Sequence, residues 1–267
     1  MGKLLFVFIV LMTGYGSLAL KATEKYYVTF VKGEVALERT KAKVKVGDAL
    51  NPEDRLLFKD KAAKVSCISP GKGRFDITSQ AAKPGNKGEL LAVLKSNLVP
   101  ASGSYHLSTR SLFFEGYDPK TYFHSVETNN RILLVANETV PVSSAYKLDP
   151  ANFFFLQYQQ NGKTELKKLE HTEKGIVFPL LFPAGAETPE KVKLCYQTDA
   201  SGTARSSVIA EFIPVVASKE EVQKQIQLLK EFSGGTDAKK LKKEILYHLF
   251  ENYGKIGEEI LSSVFGI

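Results

Sequence analysis

Tryptophan is absent from this chain, and methionine, cysteine and histidine are scarce, with 2, 2 and 4 copies. Each scarcity excludes something. Two cysteines, Cys67 and Cys195, build neither a disulfide-dense scaffold nor an all-cysteine zinc site. The histidines are His106, His124, His171 and His248, and none stands in a His-Glu-x-x-His spacing. Cys-x-x-Cys and Gly-x-Ser-x-Gly are missing too, so metal, redox and nucleophile-elbow chemistry have no motif to rest on. His171, between Glu170 and Glu173, comes nearest to a ligand cluster but reads as a solvated loop, and His248 as a surface or partly packed residue of a late helix. Gly162-Lys163-Thr164 imitates the end of a phosphate-binding loop, yet Gln157 stands where that loop needs its first glycine. The expectation is therefore no catalytic residue, no cofactor and no metal.

Long apolar runs are equally rare, and the one present lies at the start. Lys3 precedes Leu4-Leu5-Phe6-Val7-Phe8-Ile9-Val10-Leu11-Met12, too short to span a bilayer as a helix. Gly14 and Gly16 interrupt it, and Ser17-Leu18-Ala19 presents small side chains at the two positions a signal peptidase must admit. Residues 1–19 thus read as a cleavable export signal, with a periplasmic or secreted product and no transmembrane span.

Aromatics compensate for the missing tryptophan, with 17 Phe and 11 Tyr. They favour sheets that pack on aromatic side chains, and the expected class is mainly β. The net charge is +7, but lysines alternate with acids along the chain instead of forming a block. That pattern describes a solvated surface, not a nucleic-acid footprint.

Residues 25–80 carry short strands at close spacing, the signature of a small β-barrel-like domain. Val28 and Phe30 share one face of the first strand, and Tyr27 and Thr29 the other. Val44 and Val46, Leu56 and Phe58, Ala63–Ile68, and Phe75 with Ile77 supply further strands, punctuated by Gly47-Asp48 and Pro70-Gly71-Lys72-Gly73. The order Val31-Lys32-Gly33-Glu34-Val35, Val46-Gly47-Asp48-Ala49-Leu50, Asp54-Arg55-Leu56, Ala63-Lys64-Val65 and Pro70-Gly71-Lys72-Gly73-Arg74-Phe75 resembles the FecR-type periplasmic domain. The resemblance implies a periplasmic β module without catalytic residues. It does not carry over that family's transmembrane signalling, whose membrane helix has no counterpart here.

Residues 81–110, rich in Gly, Pro, Ser and Asn, read as a linker. Residues 111–217 then offer a second set of short strands, with Asn161-Gly162 as a two-residue hairpin turn. Their count and spacing favour an immunoglobulin-like β-sandwich, resembling exported recognition modules. The two β regions are expected to hold separate cores. Cys67 falls on the inward face with Ala63 and Val65, whereas Cys195 shares an outward face with Lys193 and Gln197, so two free thiols are favoured over a bridge. Residues 218–267 read as a helical tail: Ser218 to Glu221 is a capping box, Val222, Ile226 and Leu229 form one stripe, and Thr236-Asp237 opens a second helix.

Two surfaces are candidate binding sites. Phe113, Phe114, Tyr117, Tyr122 and Phe123 could stack a sugar or peptide, with core or linker packing as the plainer reading. In the tail, Leu249, Tyr253, Ile260 and Val264 belong to an apolar excess larger than one stripe can hide, opposite a basic face of Lys239, Lys240, Lys242 and Lys243. That points to a protein partner or self-association through the C-terminal helices, with envelope glycan as a further candidate ligand and no nucleic acid. The sequence thus suggests an exported, non-enzymatic binding or assembly module of a cell envelope; the alternative is an exported hydrolase acting on envelope polymer.

Overall fold

The computed structural model describes residues 24–79, 118–125, 128–179, 190–200, 202–233 and 237–267. The signal segment, the linker and Phe113, Phe114 and Tyr117 lie outside them. The protein is mainly β, and among the described residues the three longer helices follow the last strand.

The first strand, β1 (Tyr26–Lys32), pairs with β3 (Ala49–Leu50) on one side and with β5 (Lys64–Ser69) on the other. With β6 (Gly73–Thr78) they form an antiparallel sheet ordered β3-β1-β5-β6, beside a small pair of β2 (Val35–Leu37) and β4 (Leu56–Phe58). Val44 is buried, but residues 44–46 form no strand; Lys43 contributes only an isolated bridge to Ala36.

Strict alternation fails along β1. Val28 pairs with Cys67 and Phe30 with Ser66, leaving Thr29 as the extra residue of a β-bulge. The bulge turns the side chains that follow. Tyr26 and Val28 face the core of this first β unit, whereas Phe30 joins the main core beside the helices. Thr29 itself is buried, and its hydroxyl donates to the Ser66 carbonyl at 3.1 Å, which satisfies the polar group the bulge brings inside. Opposite it, Val65 and Cys67 belong to the first core and Ile68 to the main one. β1 and β5 are thus walls with a core on each side.

The second β region contains β7 (Arg131–Val135), β8 (Thr139–Pro141), β9 (Phe153–Gln160), β10 (Lys163–Lys168), β11 (Glu170–Thr172), β12 (Gly175–Val177), β13 (Val192–Ala200) and β14 (Thr203–Ala217). One sheet runs β10-β9-β13-β14-β7, antiparallel except for the parallel pair β14–β7, and a second runs β11-β12-β8. Asn161 and Gly162 turn β9 into β10 at φ values of 53° and 73°, the left-handed pair that such a hairpin requires. Cys195 is 3% exposed, and the outward position expected for it is corrected. It lies across from Phe155 and Val208, beside a bulge in which Ile209 is the extra residue of β14. Both cysteines are free thiols.

A short helix, α1 (Pro119–Tyr122), precedes β7, and β14 leads into α2 (Lys219–Phe232), α3 (Ala238–Asn252) and α4 (Glu258–Phe265). Ser218 caps α2 by accepting from the Glu221 amide at 3.1 Å. The helices join the main core instead of presenting a free apolar face. Leu249, Tyr253 and Ile260 are buried and Val264 is half-buried, because α2, α3 and α4 cover one another and pack on the strands. Tyr122 and Phe123 are buried too, Phe123 stacked on Phe212 with ring centroids 4.6 Å apart. These residues are core, which corrects their reading as binding surfaces. Between α3 and α4 the backbone pairs with β7: Leu133 donates to the Lys255 carbonyl at 2.8 Å, and the Lys255 amide donates to the Arg131 carbonyl at 3.0 Å. Gly254, at φ 113°, permits this approach, since a Cβ there would lie 2.3 Å from the Arg131 carbonyl oxygen.

Candidate functional site: a polar seam and its cleft

Where the helices meet the first β unit, apolar contact and polar contact divide the surface. Tyr27 stacks on Phe232 with centroids 3.9 Å apart, and Phe30 meets Tyr253 edge-on at 5.1 Å. Beside them lies a row of buried polar side chains, and spacing explains why they are there. Gln225 is three residues after Val222 and four before Leu229, so it sits on the apolar stripe of α2. His248 and Asn252 follow Ile245 and Leu249 by three and share a face of α3, four residues apart. All three are at most 5% exposed. His248 therefore belongs to the interior, not to the surface or partly packed setting expected of it.

The hydrogen bonds settle the state of the ring. Asn252 Nδ2 donates to the His248 carbonyl at 2.9 Å and lies 3.2 Å from His248 Nδ1, so Nδ1 is the acceptor. Gln225 Nε2 donates to Tyr253 Oη, which leaves Gln225 Oε1, 2.8 Å away, to accept from His248 Nε2. Tyr253 Oη in turn donates to Glu221 Oε1 at 2.6 Å. Every donor has its acceptor only with a neutral imidazole protonated at Nε2. Electrostatics agree. Burial pushes the His248 pKa well below its ordinary value, and the positive charges of Arg74 and Lys64 add to the effect.

The seam continues into the first β unit. Ser66 Oγ donates to Asp76 Oδ1 at 2.6 Å, and Lys64 pairs with Asp76 at 2.7 Å. A hydroxyl has one proton, so the 3.5 Å approach of Ser66 Oγ to Asn252 Oδ1 is dipolar contact, not a second donated bond. Arg74 reaches Glu251 of α3 at 3.0 Å and lies over the Tyr247 ring, its guanidinium carbon 5.0 Å from the centroid. Arg74 and Glu251 are mostly covered, and their pairing crosses the junction.

At one end of the seam a cleft of about 320 Å³ opens to solvent, lined from β1, β5, β6, β7 and the end of α3. Its walls include Lys32, Lys61, Lys64, Arg131 and Glu251, with Phe30, Thr78 and Asn252. Arg131 is only partly exposed, and burial lowers its pKa. Its guanidinium donates to the Asn252 carbonyl at 2.9 Å and meets no carboxylate among the described residues. A second cleft, of about 550 Å³, is lined by Tyr146, Lys147, Ser143, His171 and Glu173; His171 and Glu173 are exposed there. Among the described residues no group of His, Cys, Asp and Glu could hold a metal ion, and no helix is long and apolar enough to cross a membrane.

No protein-family model, curated protein or solved structure matches this chain. The likenesses to the FecR-type domain and to immunoglobulin-like modules therefore rest on the turn motifs and strand spacing alone. The seam was missed in the sequence because its members look like ordinary helix-surface residues. Periodicity was the available signal: Gln225, His248 and Asn252 all fall on apolar stripes, where a polar residue demands partners.

Proposed function

We propose that the chain is an exported, non-enzymatic binding module of a cell envelope, and that its ligand occupies the cleft between the first β unit and the end of α3. One observation carries the reading. Arg131 keeps a partly buried guanidinium at the cleft without a carboxylate beside it among the described residues. Burying charge without an opposite charge is costly, and a binding site is where such a cost is repaid. The titratable groups nearby favour binding over turnover: His248 has both ring nitrogens engaged, and Glu251 and Asp76 are held by Arg74 and Lys64. Export rests on residues 1–19 and predicts a mature chain beginning near residue 20, readable by mass.

Ala62 lines the cleft and is exposed, so Ala62→Trp blocks it without disturbing the core. Fractionated envelope extract should raise the melting temperature of the mature protein and leave that of Ala62→Trp unchanged. Equal shifts in both proteins, or breakdown of envelope polymer by the purified protein, would overturn the proposal.

A further inference from the structure

Charge at the cleft goes further than its shape. Four cationic side chains line it, Lys32, Lys61, Lys64 and Arg131, against one acid, Glu251. Glu251 is already engaged by Arg74 at 3.0 Å and by the Tyr247 hydroxyl, and Lys64 is held by Asp76 at 2.7 Å. Neither contributes much net charge to a ligand. Lys32, Lys61 and Arg131 remain, and none of them has an acidic partner among the described residues. Their convergence has a structural cause. Lys32 ends β1, Lys61 lies in the turn before β5, and Arg131 opens β7, so three separate elements each bring a cation to one opening.

Resting on the binding role proposed above, we infer that the cleft takes a phosphate group, as a phosphomonoester or diphosphate. A single carboxylate carries one negative charge and would leave two of the three cations unmatched. A phosphomonoester carries about −1.5 to −2 near neutral pH, with three strong acceptor oxygens. The planar guanidinium of Arg131 suits two of those oxygens at once, and lysine ammonium groups act as point charges on the remainder. Thr78 adds a hydroxyl to the lining. The cleft is larger than a bare phosphate needs, so part of the molecule bearing it enters as well. A lipid headgroup and a soluble sugar phosphate share this chemistry, and the experiment separates them.

Titration calorimetry on the mature protein would use inorganic pyrophosphate and glycerol 3-phosphate, with flotation on phosphatidylcholine vesicles with and without phosphatidic acid. Binding should weaken with added salt and fall about tenfold or more in Lys32→Gln/Lys61→Gln, both residues being exposed. Arg131→Lys keeps the charge but loses the planar fork, and should weaken binding while the melting temperature shows that the chain still folds. Preference for soluble phosphates over phosphatidic acid vesicles assigns a soluble ligand, and the reverse assigns a lipid headgroup. Three results overturn the inference: no binding of any phosphate probe, unchanged affinity in the double lysine variant, or equal affinity for citrate or a single-stranded oligonucleotide. If phosphate fails while Ala62→Trp still abolishes the response to envelope extract, the cleft is a binding site for another chemistry. If both fail, the binding role falls with the phosphate.

Discussion

His248 should make this protein lose stability in mild acid, well before its carboxylates titrate. Its folded pKa lies below its unfolded one, since burial, Arg74 and Lys64 all oppose the imidazolium. The unfolded chain then binds the extra proton first, and stability falls as pH drops below about 6.5, the ordinary histidine value. Below that value the slope approaches about 1.4 kcal/mol per pH unit and holds until the folded-state pKa is reached. Each such unit is a large share of a net stability of about 5–15 kcal/mol. Geometry adds a second obstacle, because protonated Nδ1 would face the Asn252 amide, donor against donor. Urea unfolding of the wild type and His248→Gln between pH 8 and 5 isolates the effect. Glutamine can donate toward Gln225 and accept from Asn252 without titrating, and contributions shared by both chains cancel in the difference. The difference should be flat above pH 7 and turn against the wild type below 6.5. A difference that stays flat down to pH 5 would refute the buried, neutral imidazole.

Gly254→Ala should lower stability by about 2–4 kcal/mol, because alanine is strained at φ 113° and its Cβ would strike the Arg131 carbonyl; the urea midpoint reads this directly. Removing residues 236–267 should abolish folding, since Leu249, Tyr253 and Ile260 leave the main core with it, and a truncated chain with native-like circular dichroism would contradict that assignment. A double-mutant cycle between Arg74→Ala and Glu251→Ala should give a coupling of about 1–2 kcal/mol, more than an exposed pair yields, because both side chains are largely covered. Phe30→Ala should cost about 3–5 kcal/mol in the same unfolding assay, with loss of its contacts to the helices.

Local chemistry was legible in the sequence wherever one or two residues decide the outcome. Asn161-Gly162 and Ser218 are of this kind: positive φ and an N-cap oxygen need no knowledge of the rest of the chain. The mainly β class followed from composition and strand spacing for a similar reason. Long-range pairing was not legible. The parallel match of β7 to β14 joins segments whose strand patterns contain nothing about direction. The bulge at Thr29 hid behind apparently regular alternation, because Val28 and Phe30 are both buried but on opposite sides. The apolar excess of the helical end was real, but its cover came from within the chain: α2, α4 and the strands hide what α3 cannot hide alone. The cleft depends on lysines and an arginine from three distant segments, and no linear motif joins them.

The extra residue in β1 also has an evolutionary side. Keeping Thr29 in a regular, unbulged strand would turn Phe30 toward the first β unit and Val31 toward the helices, exchanging a large aromatic for a small aliphatic on each side. Neither core could accept the exchange, since one would be overfilled and the other hollowed. Deleting Thr29 would instead make Val28 and Phe30 neighbours, opposite Cys67 and Ser66 as they already are, and leave both side chains in their cores. Residue and bulge are therefore selected together: related chains should keep both or lose both, and never keep the residue in a regular strand.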